Sequence, residues 1–261
     1  MPIKKFIILF IILIPALLGA EILVPMDFTQ SNHLKAYGVA FEALKEQYTV
    51  KWLLNYRGGS FLMPESESLA ALCNIRGVRF ELVSSAQVAS IMQEIQESNM
   101  ETVVLEKEPK IAVYIPPNAL PWDDAVTLAL DYAEIDYDRV WDDEVLAGKL
   151  SDYDWLHLHH EDFTGQYGKF YGAYRNTAWY QNDIRVNEAM AAKHNYAKVW
   201  QLKHTVAEKI REFVLNGGFL FAMCAATDTF DIALSAQNVD IVDALIDGDG
   251  IDPQYQDKLD Y

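Results

Sequence analysis

The sequence is short of cysteine, of basic residues and of long hydrophobic runs. Two cysteines, Cys73 and Cys224, among 261 residues cannot build a disulfide scaffold or a cysteine-ligated zinc ribbon. Lysine and arginine number 21 against 38 aspartates and glutamates, for a formal net charge of −17. A surface this acidic repels phosphate backbones, which excludes general nucleic-acid binding. The one long apolar run, residues 6–18, falls short of the ~20 residues of a membrane span. No repeat of solenoid period is visible. What is present is a composition 51% hydrophobic and 23% charged, enough apolar material for a core and unlike a disordered chain.

The apolar run has a second meaning. Lys4 and Lys5 precede it, and Gly19-Ala20 and then Glu21 follow it. A basic start, a short greasy middle and small residues at the end read as a secretory signal peptide, residues 1–20, cleaved after Ala20. The expectation is a periplasmic or secreted protein with no stable membrane span once the leader is gone. Such a compartment supplies no ATP and permits a Cys73–Cys224 disulfide.

Downstream, short β-rich runs alternate with helical patterns. Strands are expected at 22–24, 51–56, 78–83 and 102–105. Helices are expected after Ser31, on a stripe of Leu34, Tyr37, Phe41, Leu44 and Tyr48, and at 87–96. The charged segment 106–110, with Pro109, is the candidate boundary between an N-terminal α/β unit (21–106) and a second α/β unit (110–261). There the pattern restarts. Strands are expected at 111–115, 137–141, 154–159 and 219–223, and helices at 122–133, 196–216 and 225–237. This grammar predicts an α/β protein with a parallel sheet covered by helices. The chain stops at Tyr261 without a closing element, so the sheet reads as incomplete and the sequence as C-terminally truncated.

Four segments carry chemistry. In the first, a fully apolar strand, expected to be buried, runs straight into Cys224 and then a helix. A strand–turn–helix elbow presents its turn residue at the carboxyl edge of the sheet. The helix N-terminus favours a thiolate, and the Ala225 N–H suits an oxyanion. The competing reading is a buried, inert cysteine, with Asp228 and Asp231 opposing thiolate formation. No histidine follows Cys224, so its base is expected beyond Tyr261 or absent, and an earlier histidine could serve only by an unusual arrangement. The second segment is His157-Leu158-His159-His160-Glu161-Asp162. Strand alternation aims His157 and His159 one way and His160 the other. These groups suit acid/base work, or hydrogen-bond neighbouring loops; their spacing is not a zinc signature. In the third, Gly165, Gly168 and Gly172 interleave with Tyr167, Phe170, Tyr171, Tyr174, Trp179 and Tyr180, making either a stacking platform on a glycine-rich loop or a packed lid. The fourth, Asp247-Gly248-Asp249-Gly250-Ile251-Asp252, lacks the distal glutamate of a calcium loop and reads as a solvated acidic turn. No cofactor or metal is expected.

Several stretches together resemble a known family: PMD at 25–27 with NHLKAYG at 32–38, WLLNYRGGSF at 52–61, PWDDAVT at 121–127, YDWLHLHHEDFTGQYGKFY at 153–171 and MCAATDTFD at 223–231. They resemble an exported Bacteroidetes family that carries the label asparagine synthetase B. The resemblance spans most of the chain and implies members that run past Tyr261. The second half also resembles a class I glutamine amidotransferase-like fold, with flavodoxin-like layers. The label and the residues diverge. Glutamine-dependent asparagine synthetases use a cysteine at position two and a Ser-Gly-Gly-x-Asp-Ser pyrophosphate loop. Here Pro2 follows Met1, and Arg57-Gly58-Gly59-Ser60-Phe61 lacks the Asp-Ser pair.

The expected activity is hydrolysis or transfer of an amide or acyl group. Cys224, His159, His160 and Glu161 are the expected catalytic set, and Ala225, Tyr167, Tyr171 and Arg57 the substrate contacts. The alternatives are a non-catalytic module binding a small molecule, peptide or glycan, and the synthetase of the label.

Overall fold

A computed structural model describes residues 19–120 and 124–260. Nearly all of the expected leader, and Pro121, Trp122 and Asp123 of the PWDDAVT stretch, lie outside the described residues. The chain divides between Glu108 and Pro109 into two compact units. Among the described residues no helix is long and apolar enough to cross a membrane.

The first unit runs β1 (Glu21–Val24), α1 (His33–Lys45), β2 (Val50–Leu54), β3 (Ser60–Pro64), α2 (Glu67–Arg76), β4 (Glu81–Val83), α3 (Ser85–Glu97) and β5 (Glu101–Leu105). Its five-stranded sheet has the order β4-β1-β3-β2-β5, and every pairing is antiparallel. This corrects the parallel sheet expected for residues 21–106. The reason is local. Asn55, Arg57, Gly58 and Gly59 take positive φ, so the chain reverses between β2 and β3. A parallel crossover needs roughly a dozen residues or more, and none fit there.

Helix α1 also differs from its expected stripe. Asn32, not Ser31, caps it, its Oδ1 accepting from Lys35 N at 3.1 Å. The buried face is mostly small: Ala36, Val39, Ala40 and Ala43, joined by Phe41 and Leu44, while Leu34 and Tyr37 are exposed. Small side chains let the helix lie close on Ile22, Val24, Val50 and Met63 of the sheet.

The second unit runs β6 (Ile111–Tyr114), α4 (Ala125–Ala133), β7 (Asp138–Val140), α5 (Asp142–Leu146), β8 (Trp155–Leu158), α6 (Gly168–Tyr174), α7 (Ala178–Lys193), α8 (Val199–Leu215), β9 (Phe219–Ala222), α9 (Ala225–Ser235) and α10 (Ala244–Asp247). Its four-stranded sheet, order β7-β6-β8-β9, is parallel throughout. Alternation sorts the faces. Ala112, Tyr114, Val140, Leu156 and Leu158 turn to a core shared with Leu202, Val206 and Ile210 of α8.

Two expectations fail here. The apolar run at 219–223 is not a fully buried strand. β9 lies at the sheet edge, and Phe219 and Phe221 are 59% and 45% exposed on the face away from that core. The aromatic segment 163–180 is not a glycine-rich loop either, since α6 and the start of α7 occupy most of it.

Candidate functional site

Parallel strands end together, so their following loops converge on one edge. Here that edge receives Pro116 and Asn118 after β6, Trp141 after β7, His159 to Asp162 after β8 and Cys224 after β9. They line a cavity of about 1040 Å³.

Cys224 sits at the corner between β9 and α9 with φ 52° and ψ −135°. A side chain rarely holds this conformation, which costs roughly 1–3 kcal/mol and persists only when its surroundings impose it. Here the imposition is visible. On one side Met223 N donates to Leu158 O at 2.9 Å; on the other Ala226 N donates to His159 O at 3.3 Å. Thr229 Oγ1 donates to Glu161 O at 2.8 Å. The elbow is therefore stitched to the loop after β8. The Cys224 side is exposed, and Ala225 opens the helix behind it.

The histidines do not divide as alternation predicts. β8 ends at Leu158, so His159 and His160 leave the strand and both line the cavity, their rings 4.7 Å apart. His157 stays in the strand, buried with its ring stacked on Phe221 at 5.7 Å. Burial holds its imidazole below its ordinary pKa, which disfavours a charged role.

His159 is held by Asp124, a residue within the stretch 122–133 that reads along the chain only as a helix. Asp124 caps α4, its Oδ1 accepting from Val126 N at 2.7 Å. The same Oδ1 lies 3.1 Å from His159 Nδ1. Asp124 is buried, and its Oδ2 has no hydrogen-bond partner among the described residues. The available signal was an aspartate at a cap; its second partner, in a loop after another strand, was not visible along the chain.

Glu161 is buried in the cavity wall, where its Oε2 accepts from His159 N at 2.9 Å. Burial pushes its pKa up to about 7 against the pull of that N–H, and the nearby Asp124 carboxylate adds to the rise. Lys203 also reaches the wall, 2% exposed, with Nζ at 2.9 and 3.1 Å from the Asp142 carboxylate, 3.2 Å from Tyr114 Oη and 3.8 Å from the Trp141 ring centroid. Tyr114 donates a short hydrogen bond to Asp142. The buried ammonium is thus compensated by the buried Asp142 carboxylate.

The aromatic side is mixed. Tyr167 and Tyr180 line the cavity, and Tyr180 Oη donates to Tyr167 O at 3.1 Å. Phe170, Tyr174 and Trp179 also line it yet are 39, 43 and 51% exposed, so they are not simply packed under other residues. Tyr171 turns away, donating from Oη to Leu245 O at 3.1 Å, which corrects its place among the contacts. Arg57 belongs to the first unit, where Asp27 at 2.7 Å and Glu81 at 3.1 Å engage it. The site described here is built from the second unit alone.

Neither cysteine forms a disulfide. Cys73 is buried in the first unit's core, where burial raises its thiol to about 11, and Cys224 is exposed in the second. Among the described residues the one group with metal-like proximity is Asp240, Asp247 and Asp249. The Lys198 ammonium already sits there, 3.3 Å from Asp247 and in contact with Asp249. The acidic turn is thus partly compensated by a lysine.

No protein-family model matches the chain, and neither a curated protein nor a solved structure matches it significantly. The functional reading rests on the chemistry of the site.

Proposed function

We propose that the second unit is a cysteine-dependent amide or acyl hydrolase or transferase of the glutamine amidotransferase-like kind. The observation that carries this is Cys224 in a strained elbow, facing the same cavity as His159 and His160. Backbone strain that costs stability and aims a nucleophile into a cavity is a mark of function. In the proposed reaction the Cys224 sulfur attacks a carbonyl carbon and a C–S bond forms. The Ala225 N–H steadies the oxyanion. The C–N or C–O bond breaks, the thiol proton passes through a histidine to the leaving group, and water releases the acid from the thioester.

The family resemblance and the expected export belong to the same proposal. ATP-dependent asparagine synthesis does not. A Cβ on Gly58 would lie 2.4 Å from Met26 O, and Arg57 is committed to two carboxylates. That loop is closed on its own unit rather than shaped as a phosphate cradle.

The exposed Phe170, Tyr174 and Trp179 favour a second reading, a binding module for a glycan or peptide. The two part on a simple assay. With p-nitrophenyl acetate, the hydrolase releases a burst of one p-nitrophenolate per chain, and Cys224→Ser abolishes it. A burst unchanged in Cys224→Ser, or no burst in the wild type, overturns the enzymatic reading. Glycan binding that survives Cys224→Ala then supports the module.

A further inference from the structure

From the pairing of Asp124 with His159 we infer that His159, not His160, is the base that serves Cys224, and that Asp124 is its positioning residue. The inference deepens the cysteine-hydrolase reading and rests on it. Asp124 and His159 both precede Cys224 in the chain, so the assignment needs no histidine after the nucleophile.

A histidine beside a thiol is useful only if one ring nitrogen is committed elsewhere, so that the other faces the sulfur. His159 Nδ1 lies 3.1 Å from Asp124 Oδ1. With the Nδ1–H donating to the carboxylate, Nε2 is left for the thiol proton. Among the described residues no carboxylate holds a His160 ring nitrogen in this way; its ring lies 4.7 Å from that of His159. The backbone of His159 is tied beside the nucleophile by Ala226 N at 3.3 Å. The residue is therefore anchored at its backbone and at ring Nδ1, and Cys224 shares its cavity wall.

Charge points the same way. Asp124 is buried, and its second oxygen has no hydrogen-bond partner among the described residues. A desolvated carboxylate gains when its neighbour becomes an imidazolium. Proton transfer from Cys224 to His159 creates that cation between Asp124 and the new thiolate. The other titratable groups around His159 are Glu161, His160 and His157. Burial keeps Glu161 largely uncharged below about pH 7 and favours neutral His157, so neither competes strongly there for the role of Asp124.

The test needs no substrate. Iodoacetamide alkylation at Cys224 is followed by mass spectrometry from pH 5 to 9. Expected for the native protein is alkylation at pH 7 faster than that of an ordinary thiol. Asp124→Asn retains a good helix cap but loses the charge. It should slow alkylation at pH 7 about tenfold. His159→Gln should do at least as much, His160→Gln little, and Asp124→Glu should recover part of the rate. If His159→Gln slows alkylation and Asp124→Asn does not, the positioning role is overturned and the nucleophile stands. If Cys224 behaves as an ordinary thiol in every variant, both readings fall. Nitrogen NMR of His159 in the wild type gives a check independent of variant folding. A proton on Nδ1 supports the assignment, and a neutral ring protonated only on Nε2 overturns it.

Discussion

Replacing Glu161 by glutamine should change how stability depends on pH, by an amount the structure sets. Glu161 is buried beside Asp124, and its pKa stands at about 7 instead of the ordinary 4.5. The folded state therefore holds its proton more tightly than the unfolded chain does. The resulting stabilisation is complete below pH 4.5 and is lost as pH rises through 7. At about 1.4 kcal/mol for each tenfold change in ionisation, the loss is about 3 kcal/mol. Glutamine keeps an oxygen to accept the His159 N–H and cannot ionise. Stability measured by urea unfolding, variant minus wild type, should thus climb by about 3 kcal/mol between pH 4 and pH 8. The difference matters because His204 opposes the trend. It is buried, its pKa is lowered to about 4, and it adds stability as pH rises from 4 through 6.5. The wild-type profile alone would hide both groups. A difference that stays flat with pH would refute the desolvated environment assigned to Glu161.

Two further outcomes follow from buried groups. Lys203→Met should destabilise the protein by about 3–5 kcal/mol, because it leaves Asp142 charged and buried without its ammonium; Asp142→Asn in the same chain should recover part of the loss, and additive effects in thermal unfolding would contradict the pairing. In the native protein a thiol reagent such as DTNB should titrate Cys224 alone at pH 8, with Cys73 appearing only on unfolding, since Cys73 is buried and its thiol is raised to about 11; two fast thiols in the native state would refute its burial.

Local pattern carried much of the second unit. Apolar runs bounded by turn residues are visible at 111–115 and 154–159, and the amphipathic stripe of Val206, Ile210 and Phe213 in α8 repeats at helical spacing. The strand–Cys224–helix step could likewise be read directly, because each piece is contiguous. The first unit was misread for the opposite reason. Strand direction depends on whether the chain reverses between strands, and here the turn at Asn55 to Gly59 decides it. Helical residues in 163–180 were hidden because aromatic side chains and glycines suit loops as readily as helices, and packing chose the helix. The exposure of Phe219 and Phe221 was also invisible, since an apolar strand reads the same at an edge as at a centre.

The sequence by itself determined an acidic α/β chain with its break near Pro109 and a cysteine at a strand–helix corner. These are properties of neighbours along the chain: composition, periodicity and turn-forming residues. Only the tertiary structure decided that Asp124 meets His159, that His159 and His160 share the cavity of Cys224, and that Tyr171 and Arg57 are engaged elsewhere. Those relations join residues tens of positions apart. They exist because parallel strands end at one edge and bring their loops together there, which no local pattern encodes.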